Sequence, residues 1–182
     1  MLFRSEDVRL HELLFLDIET TGLGGAGAMT FLVGTGRIEG DAFVLRQYLA
    51  PAPPDEAALL HALIADGGVR EDGPVLVTYN GRAFDAPALD ERATMHRQRA
   101  GFDALRHLDL LMPVRTAYRG LLPSCRLGEV EHAVLGMSRP TYEVSGAETP
   151  AWYFRFLRTQ DARVMAPLID HNARDVLALA SL

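Results

Sequence analysis

The sequence predicts an α/β fold in which a mixed five-stranded sheet, with three antiparallel strands followed by two parallel ones, is flanked by helices. Two observations predict this class. The first third of the chain contains three β-rich runs separated by turns, which is typical of an antiparallel meander. The remainder alternates short apolar runs with stretches of helical periodicity, and strand–helix–strand connections place their strands parallel in one sheet.

The meander is predicted from the first fifty residues. Residues 13–18 are apolar except for Asp17, which predicts a central strand covered on both faces. Residues 21–29, TGLGGAGAM, predict a flexible turn. Residues 30–38 and 42–50 predict two further strands, and their short connection makes an antiparallel arrangement the natural one.

The rest of the chain predicts crossover helices and two more strands. Residues 55–66 show apolar positions at helical spacing and stop at a glycine pair, after which PVLVTYN predicts a short buried strand. The remaining predicted elements are a helix over 84–96, a strand over 107–111, a helix over 127–135, a loop over 138–150, and helices over 152–157 and 163–182. Pro167 is expected to start or kink the last helix.

Length and composition suit one domain, which we expect to span residues 1–182, since 48% of the residues are hydrophobic. The chain has no run of eighteen or more apolar residues, and its N-terminus lacks a signal-peptide pattern. We therefore expect a cytoplasmic protein that does not contact a membrane. The single cysteine, Cys125, excludes an internal disulfide and a multi-cysteine zinc site, and is expected to be a small buried side chain.

The basic residues are unusual, because all eighteen are arginine. The absence of lysine excludes a Schiff-base lysine and a phosphate-binding loop that ends in Lys-Ser or Lys-Thr. The net charge of −6 argues against a surface that coats nucleic acid. An acidic phosphodiesterase nevertheless remains compatible with this charge, because bound cations neutralise the site where phosphate lands.

Two carboxylates lie at the end of the predicted central strand. Asp17 and Glu19 are two residues apart on a strand, so they point to the same face with Cα atoms roughly 6.5 Å apart. Two ionised carboxylates in that arrangement repel, and a shared proton, an arginine or a cation is needed to neutralise them. The competing interpretation is a solvated acidic pair at an exposed strand end.

Two further motifs bring acids toward the same edge. Asp85 begins a helix after the fourth strand, at the end of the sheet where open α/β sheets bind ligands, although an ordinary helix cap explains it equally well. On the last helix, His171 and Asp175 lie one turn apart and can converge on one site, whereas a surface helix pair is the alternative. The apolar residues that flank them indicate a packed helix.

Together, the three motifs carry a resemblance that one motif alone does not. LDIETTG, YNGRAFD and HNARD, in this order, resemble the three exonuclease motifs of the DEDD superfamily of 3′–5′ exonucleases, which has a ribonuclease H-like fold. The segments between them are similar to the YprB-type predicted exonuclease family: HLDLL, SCRLGEVEHAVLG, the loop that contains Arg139, the Gly146 to Pro150 turn and HNARDVLAL. The likeness runs from about residue 13 to the end.

The resemblance implies roles for particular residues. The four metal-binding acids would be Asp17, Glu19, Asp85 and Asp175. His171 matches the fifth catalytic position, where family members carry His or Tyr, and its four-residue spacing from Asp175 is that of the Tyr type. The predicted substrate contacts are Thr20, Asn80, Arg82, Phe84 and Arg174.

Four converging carboxylates at the end of a buried sheet require cations, and their oxygen ligands suit two Mg²⁺ or Mn²⁺ ions. Such a pair activates water and stabilises a leaving 3′ oxygen, while His171 can take a proton near neutral pH. We therefore expect a metal-dependent 3′–5′ exonuclease that acts on single-stranded DNA or RNA. The alternatives are a structure-specific or endonucleolytic ribonuclease H-like nuclease and a catalytically silent nucleic-acid-binding module. No protein partner is indicated.

Two weaker patterns have structural alternatives. Residues 151–158 interleave aromatic residues and arginines as a base-stacking platform does, but the helical spacing of Trp152, Phe156 and Leu157 favours a core. A basic stretch after the second helix is typical either of a solvated helix face or of a guide for phosphates. It comprises Arg92, His96, Arg97, Arg99 and Arg106.

Overall fold

The computed structural model describes residues 8–22, 27–70, 72–139 and 144–182. Its single five-stranded sheet has the order β3-β2-β1-β4-β5. The strands are β1 (Leu13–Thr20), β2 (Thr30–Glu39), β3 (Ala42–Leu49), β4 (Val75–Thr78) and β5 (His107–Asp109). The pairs β1–β2 and β2–β3 are antiparallel, whereas β1–β4 and β4–β5 are parallel. The mixed α/β sheet predicted from the sequence is confirmed, with β1 at its centre.

The helices are α1 (Glu56–Gly67), α2 (Asp85–Met95), α3 (Leu111–Tyr118), α4 (Leu127–Val134), α5 (Thr149–Thr159) and α6 (Ala166–Ser181). Pro167 lies in the first turn of α6, where a missing N–H leaves no helical hydrogen bond unmade. Of the two outcomes expected for this proline, it therefore starts the helix. Short 3₁₀ segments precede β1, α1 and α6.

The structure corrects two predicted elements. The strand predicted over 107–111 ends at Asp109, because its carboxylate accepts hydrogen bonds from the backbone N–H groups of Leu111 and Asn80 and turns the chain into α3. Sequence reasoning missed α3, whose Pro113 lies in the first turn and is tolerated there. Helix α5 begins at Thr149, inside the predicted loop over 138–150.

Parts of two predicted segments lie outside the described residues. The turn predicted over 21–29 includes residues 23–26, and the loop predicted over 138–150 includes residues 140–143. Within the described chain, no helix combines the length and the apolarity needed to cross a bilayer.

The sheet is buried on both faces. On one face, α1 and α5 cover a large apolar cluster in which Phe31 of β2 stacks on Tyr153, with ring centroids 4.1 Å apart. On the other face, α6 packs on β1 and β2 over a smaller cluster that includes Val176. That approach requires glycine at 34, because a Cβ there would lie 2.4 Å from Oδ1 of Asn172. Helix α6 is thereby seated directly on the central strands.

The structure shows what the side chains in the two weaker sequence patterns contact. Phe156 is buried in the large cluster, with Trp152 and Leu157 packed against it, so the core interpretation of this segment is confirmed. In the basic stretch, Arg92 and His96 bind the buried carboxylate of Glu56, which is neither of the two alternatives predicted for them. Cys125 was expected to be buried and is half-buried instead.

Candidate active site

The carboxyl edge of the sheet brings three acids together. Asp17 and Glu19 lie on β1 opposite Gly34 and Leu32 of β2, near the end of the strand. Asp85 is the first residue of α2, and its carboxylate accepts a hydrogen bond from the backbone N–H of Ile18 on β1. The N-cap position of α2 is Phe84, and the Asp85 carboxylate accepts from its own backbone N–H as well as from β1, so Asp85 is more than a plain helix cap.

Helix α6 adds the remaining two groups. Nε2 of His171 lies 3.8 Å from Oε1 of Glu19 and 3.7 Å from Oδ2 of Asp175. His171 and Glu19 are only 8% and 7% exposed, so neither belongs to a solvated surface pair. The structure therefore brings all four predicted acids and the predicted histidine to one place.

Burial shifts the pKa of every acid in this cluster upward. Burial, followed by the charges of Asp175 and Glu19, raises the pKa of Asp17 well above its usual range. Burial raises the pKa of Glu19 to about 7, although the nearby His171 works against the shift. Burial likewise raises the pKa of Asp85 to about 7. The pKa of Asp175 is also raised by burial, against the lowering effect of His171 and Arg139. Without added positive charge, the cluster holds protons near neutral pH.

The donor set fits hard divalent cations, since it consists of carboxylate oxygens, largely shielded from solvent, that repel one another and contains no sulfur. Among the described residues, however, no three acidic, imidazole or thiol groups form a ready-made metal cage. Two of the oxygens already accept hydrogen bonds. Oδ2 of Asp17 accepts from Nδ2 of Asn172 at 2.8 Å, and Oδ1 of Asp175 accepts from Nη2 of Arg139 at 2.5 Å.

Asn172 is a site residue that sequence reasoning missed. It is fully buried on α6, and its Nδ2 also lies 3.2 Å from the backbone oxygen of Asp17. Its Oδ1 accepts a hydrogen bond from Nε2 of Gln47 at 2.9 Å, so the orientation of the amide is fixed from both ends. The sequence contained a clue, because a buried asparagine between His171 and the apolar face of α6 needs partners.

Arg139 is the second site residue that sequence reasoning missed. It donates to both carboxylate oxygens of Glu131, which is 1% exposed on α4, and the Nη2 bond is 2.7 Å long. The same guanidinium reaches Asp175 and lies 3.4 Å from Nδ1 of His171. The resemblance had marked the loop that contains Arg139 without assigning it a role. Its pairing with Glu131 holds the guanidinium beside His171 and Asp175.

Two of the predicted substrate contacts adjoin the acids. Thr20 and Phe84 line a cavity of about 230 Å³ together with Asp17 and Asp85. The ring of Phe84 is 58% exposed, which is unusual for an aromatic side chain next to buried carboxylates. The cavity wall is otherwise mainly apolar on this side, including Ile18.

The other three predicted contacts have different neighbours. Nη2 of Arg82 donates to the backbone oxygen of His107 at 2.6 Å, and Nε of Arg174 donates to Asp170 at 3.0 Å. Asn80 has a positive φ of 68° and lines a separate cleft next to the end of β4. Their roles as substrate contacts stay predictions.

Comparisons with known proteins agree with this architecture. A family model described as RNase_H superfamily matches residues 14–182. The uncharacterized protein YprB of Bacillus subtilis (strain 168) is 37% identical over 174 residues, which cover 94% of this chain and 41% of YprB. The chain thus spans about two fifths of that relative.

Solved structures of E. coli exonuclease I share the fold. The complex with a dT13 oligonucleotide has a TM-score of 0.55 at 18% identity, covering 91% of this chain and 45% of that one. The zinc-bound complex with single-stranded DNA has a TM-score of 0.54 at 19% identity, covering 92% and 45%. The ribonuclease H-like fold predicted from the motifs, and the resemblance that predicted it, are confirmed.

Proposed function

Because the chain belongs to the RNase_H superfamily, we propose that it is a metal-dependent nuclease, and specifically a 3′–5′ exonuclease acting on single-stranded nucleic acid ends. The observation that carries the proposal is the convergence of four acids from β1, α2 and α6, with His171 beside Glu19 and Asp175. The superfamily and the exonuclease I neighbours support a nuclease in general. The proposed direction rests on the resemblance of the three motifs, and the proposed chemistry rests on the site.

Divalent cations are the part of the proposal that the acids support most strongly. The residues that would hold two Mg²⁺ or Mn²⁺ ions are Asp17, Glu19, Asp85 and Asp175. When bound there, such ions polarise the phosphodiester, lower the pKa of water and neutralise charge on the leaving oxygen. The zinc-bound structure of exonuclease I with single-stranded DNA is consistent with a cation-dependent site on this fold.

The protein's own groups supply proton transfer and orientation. In our proposal His171 accepts the proton of the attacking water at Nε2, the nitrogen that faces Glu19 and Asp175. Those carboxylates stabilise the imidazolium that forms, since they lie 3.8 and 3.7 Å away. Asn172 holds Asp17 in place from α6, and Arg139 holds Asp175 and the imidazole. Preorganised side chains of this kind lose little freedom during the reaction.

The cavity beside the acids supports action at a strand end. Its 230 Å³ volume, the exposed ring of Phe84 and the apolar wall suit an unpaired base, which stacks on aromatic side chains. A terminal nucleotide in this cavity places its phosphodiester against Asp17 and Asp85, which also line it. This arrangement favours an exonuclease over an endonuclease.

A gel time course on 5′-labelled single-stranded DNA and RNA with Mn²⁺ or Mg²⁺ tests the function. We expect a ladder that shortens from the 3′ end, that disappears in Asp17→Ala and that slows in His171→Ala. Asp41 is an exposed acid, so Asp41→Ala serves as the matched control and should leave the ladder unchanged. Cleavage of a circular single strand would instead indicate an endonuclease, and retention of intact substrate on a filter would indicate a binding module.

A further inference from the structure

A second cleft lies on the α6 side of the sheet, next to the end of β4. Its volume is about 580 Å³, and its walls come from the residues after β4, the end of α3, the 119–125 loop and the start of α4. Tyr79 packs into the same apolar cluster as Val176 of α6, and its hydroxyl donates to the backbone oxygen of Cys125 at 2.6 Å. The loop is thereby fixed against β4.

Every charged side chain described in the lining of the cleft is positively charged. Among the residues that the structure describes, its charged lining residues are Arg115, Arg119 and Arg126, with no carboxylate. All three arginines are exposed, and none makes an ion pair with any residue that the structure describes. In a protein with a net charge of −6, this is a local surface of the opposite sign.

At the opposite edge of the sheet lies a cavity of about 820 Å³, and there surface arginines form ion pairs with carboxylates. There Arg46 pairs with Glu39 at 2.7 Å, and Arg70 pairs with Asp72 at 3.0 Å. Arg106 pairs with Glu12 at 3.5 Å. Because these charges are matched and those of the cleft beside Tyr79 are not, the cleft beside Tyr79 is the one of the two that is suited to attract a polyanion.

The unpaired arginines lie where a bound strand would continue. Tyr79 and Asn80 line the cleft, and the same connection leads into Asp85 of the acid cluster. The cavity beside Phe84 lies on the α2 side of the acids, whereas the cleft lies on the α6 side, where α4 packs against α6. The acid cluster therefore stands between a cavity for a terminal base and a cationic cleft.

We propose that Arg115, Arg119 and Arg126 bind backbone phosphates of the substrate strand on the 5′ side of the bond that is cleaved. The placement rests on the proposed function, since it assumes that the 3′ end occupies the cavity beside Phe84. Guanidinium groups bind phosphate oxygens through paired N–H donors, and such contacts carry no base sequence. The cleft thus holds DNA or RNA of any sequence while successive nucleotides reach the acids.

Binding without turnover provides the test. The probes are 5′-fluorescein oligo(dT) and oligo(rU) of about twelve nucleotides, titrated by anisotropy against the Asp17→Asn chain between about 50 and 200 mM NaCl. The cleft variant is Arg115→Gln/Arg119→Gln/Arg126→Gln. The matched control is Arg46→Gln/Arg70→Gln/Arg106→Gln, which removes the same charge from the opposite edge.

We expect the cleft variant to weaken binding at least about tenfold at low salt and to reduce the slope of log K against log salt by about 2, the value for three single-strand phosphate contacts. The control should change both quantities much less, and lysines at the three cleft positions should restore most of the affinity. Equal losses in the two triple variants, no loss in either, or no binding by the parent chain would overturn the inference.

Turnover separates this inference from the proposed function. With Asp17 intact, the cleft variant should raise KM for the long strand while a trinucleotide is hydrolysed at the wild-type rate. If the cleft variant and the control variant hydrolyse the long strand and the trinucleotide equally well, the cleft does not bind substrate, whereas the proposed nuclease function stands. If the protein hydrolyses neither substrate but the cleft variant alone loses binding, the nuclease proposal fails, whereas the cleft still binds the strand.

Discussion

Two buried acidic sites in this protein are neutralised in opposite ways. Glu56, at the start of α1, is 1% exposed, and burial alone would raise its pKa. Hydrogen bonds from Arg92, His96 and the backbone N–H of Thr30 outweigh burial, and its pKa is lowered. Asp17 is half-buried, but its nearest charged neighbours are other acids, and its pKa is raised.

The difference shows what each site is for. Where a buried carboxylate serves the fold, as at Glu56 and at Glu131 with Arg139, the protein provides its own cation. At the carboxyl edge of the sheet four acids share Arg139 and His171, and burial still raises every one of their pKa values. Acids left short of positive charge are the expected signature of a site that takes its cations from solution.

The largest expected effect is on the Glu56 site. Glu56→Ala removes the carboxylate that binds Arg92, whose side chain is only 11% exposed. Breaking a buried ion pair in this way should cost about 3–5 kcal/mol of the free energy of unfolding. Urea unfolding monitored by circular dichroism would measure it, and a loss below about 1 kcal/mol would show that this pair behaves as a surface ion pair.

The pH dependence of stability should come mainly from the acid cluster between pH 5 and 8. The pKa values of Glu19 and Asp85 are raised to about 7, so the folded state binds more protons than the unfolded state in this window. Their favourable contribution is complete below the unfolded pKa values and is lost as pH rises through about 7. Glu56 has a lowered pKa, and its contribution is lost only at more acidic pH.

Cation-free protein should therefore lose about 5 kcal/mol of stability between pH 5 and 8, about half from each of the two groups. Saturating Mn²⁺ should reverse most of this loss, because cations bind the ionised carboxylates. Thermal melts in EDTA and in Mn²⁺ across this range provide the measurement. A cation-free melting temperature that is flat or rises from pH 5 to 8 would show that the cluster is not the dominant titrating site.

A single neutral substitution in the cluster should separate stability from function. Asp17→Asn removes a carboxylate whose pKa burial raises, while an amide oxygen can still accept from Asn172. We expect the cation-free protein to gain about 1–2 kcal/mol at slightly alkaline pH and to lose its activity. Destabilisation by Asp17→Asn would mean that the ionised carboxylate contributes favourably to the fold, as Glu56 does.

The smallest expected effect concerns the arginine that bridges the two kinds of site. Arg139→Lys keeps a positive charge beside Glu131 and Asp175 but removes the planar fork that bonds both. We expect kcat to fall by about tenfold, with little change in KM, because supporting side chains act by orienting the catalytic groups. Arg46→Lys, at an exposed position paired with Glu39 away from the acids, is the matched control. Equal kinetics for the two variants would contradict the positioning role.

The sequence correctly predicted the features of this structure that depend on residues close together in the chain. The apolar run around Asp17 marked the central strand, and the spacing of His171 and Asp175 placed both on one helix face, as the structure shows. Asn172 was missed because its partners, Asp17 and Gln47, lie 155 and 125 residues away. The same holds for Glu56, whose partners follow it by 36 and 40 residues.

Contacts of that kind depend on how helices dock on the sheet, which no local pattern reports. The close approach of α6 to Gly34 is a case in point, since a single Cβ there would displace Asn172. Helix α3 was missed for a different reason, because Pro113 reads as a helix breaker unless the start of the helix is already known.

The central claim is that the acids of the carboxyl edge hold divalent cations. Calorimetric titration of Mn²⁺ into cation-free protein near neutral pH, repeated in buffers of different ionisation enthalpy, tests it most directly, because it counts both ions bound and protons released. We predict two bound ions, proton release from the acid cluster, and loss of both in Asp17→Ala but not in Asp41→Ala. Undetectable binding, or binding that persists unchanged in Asp17→Ala, would contradict the account.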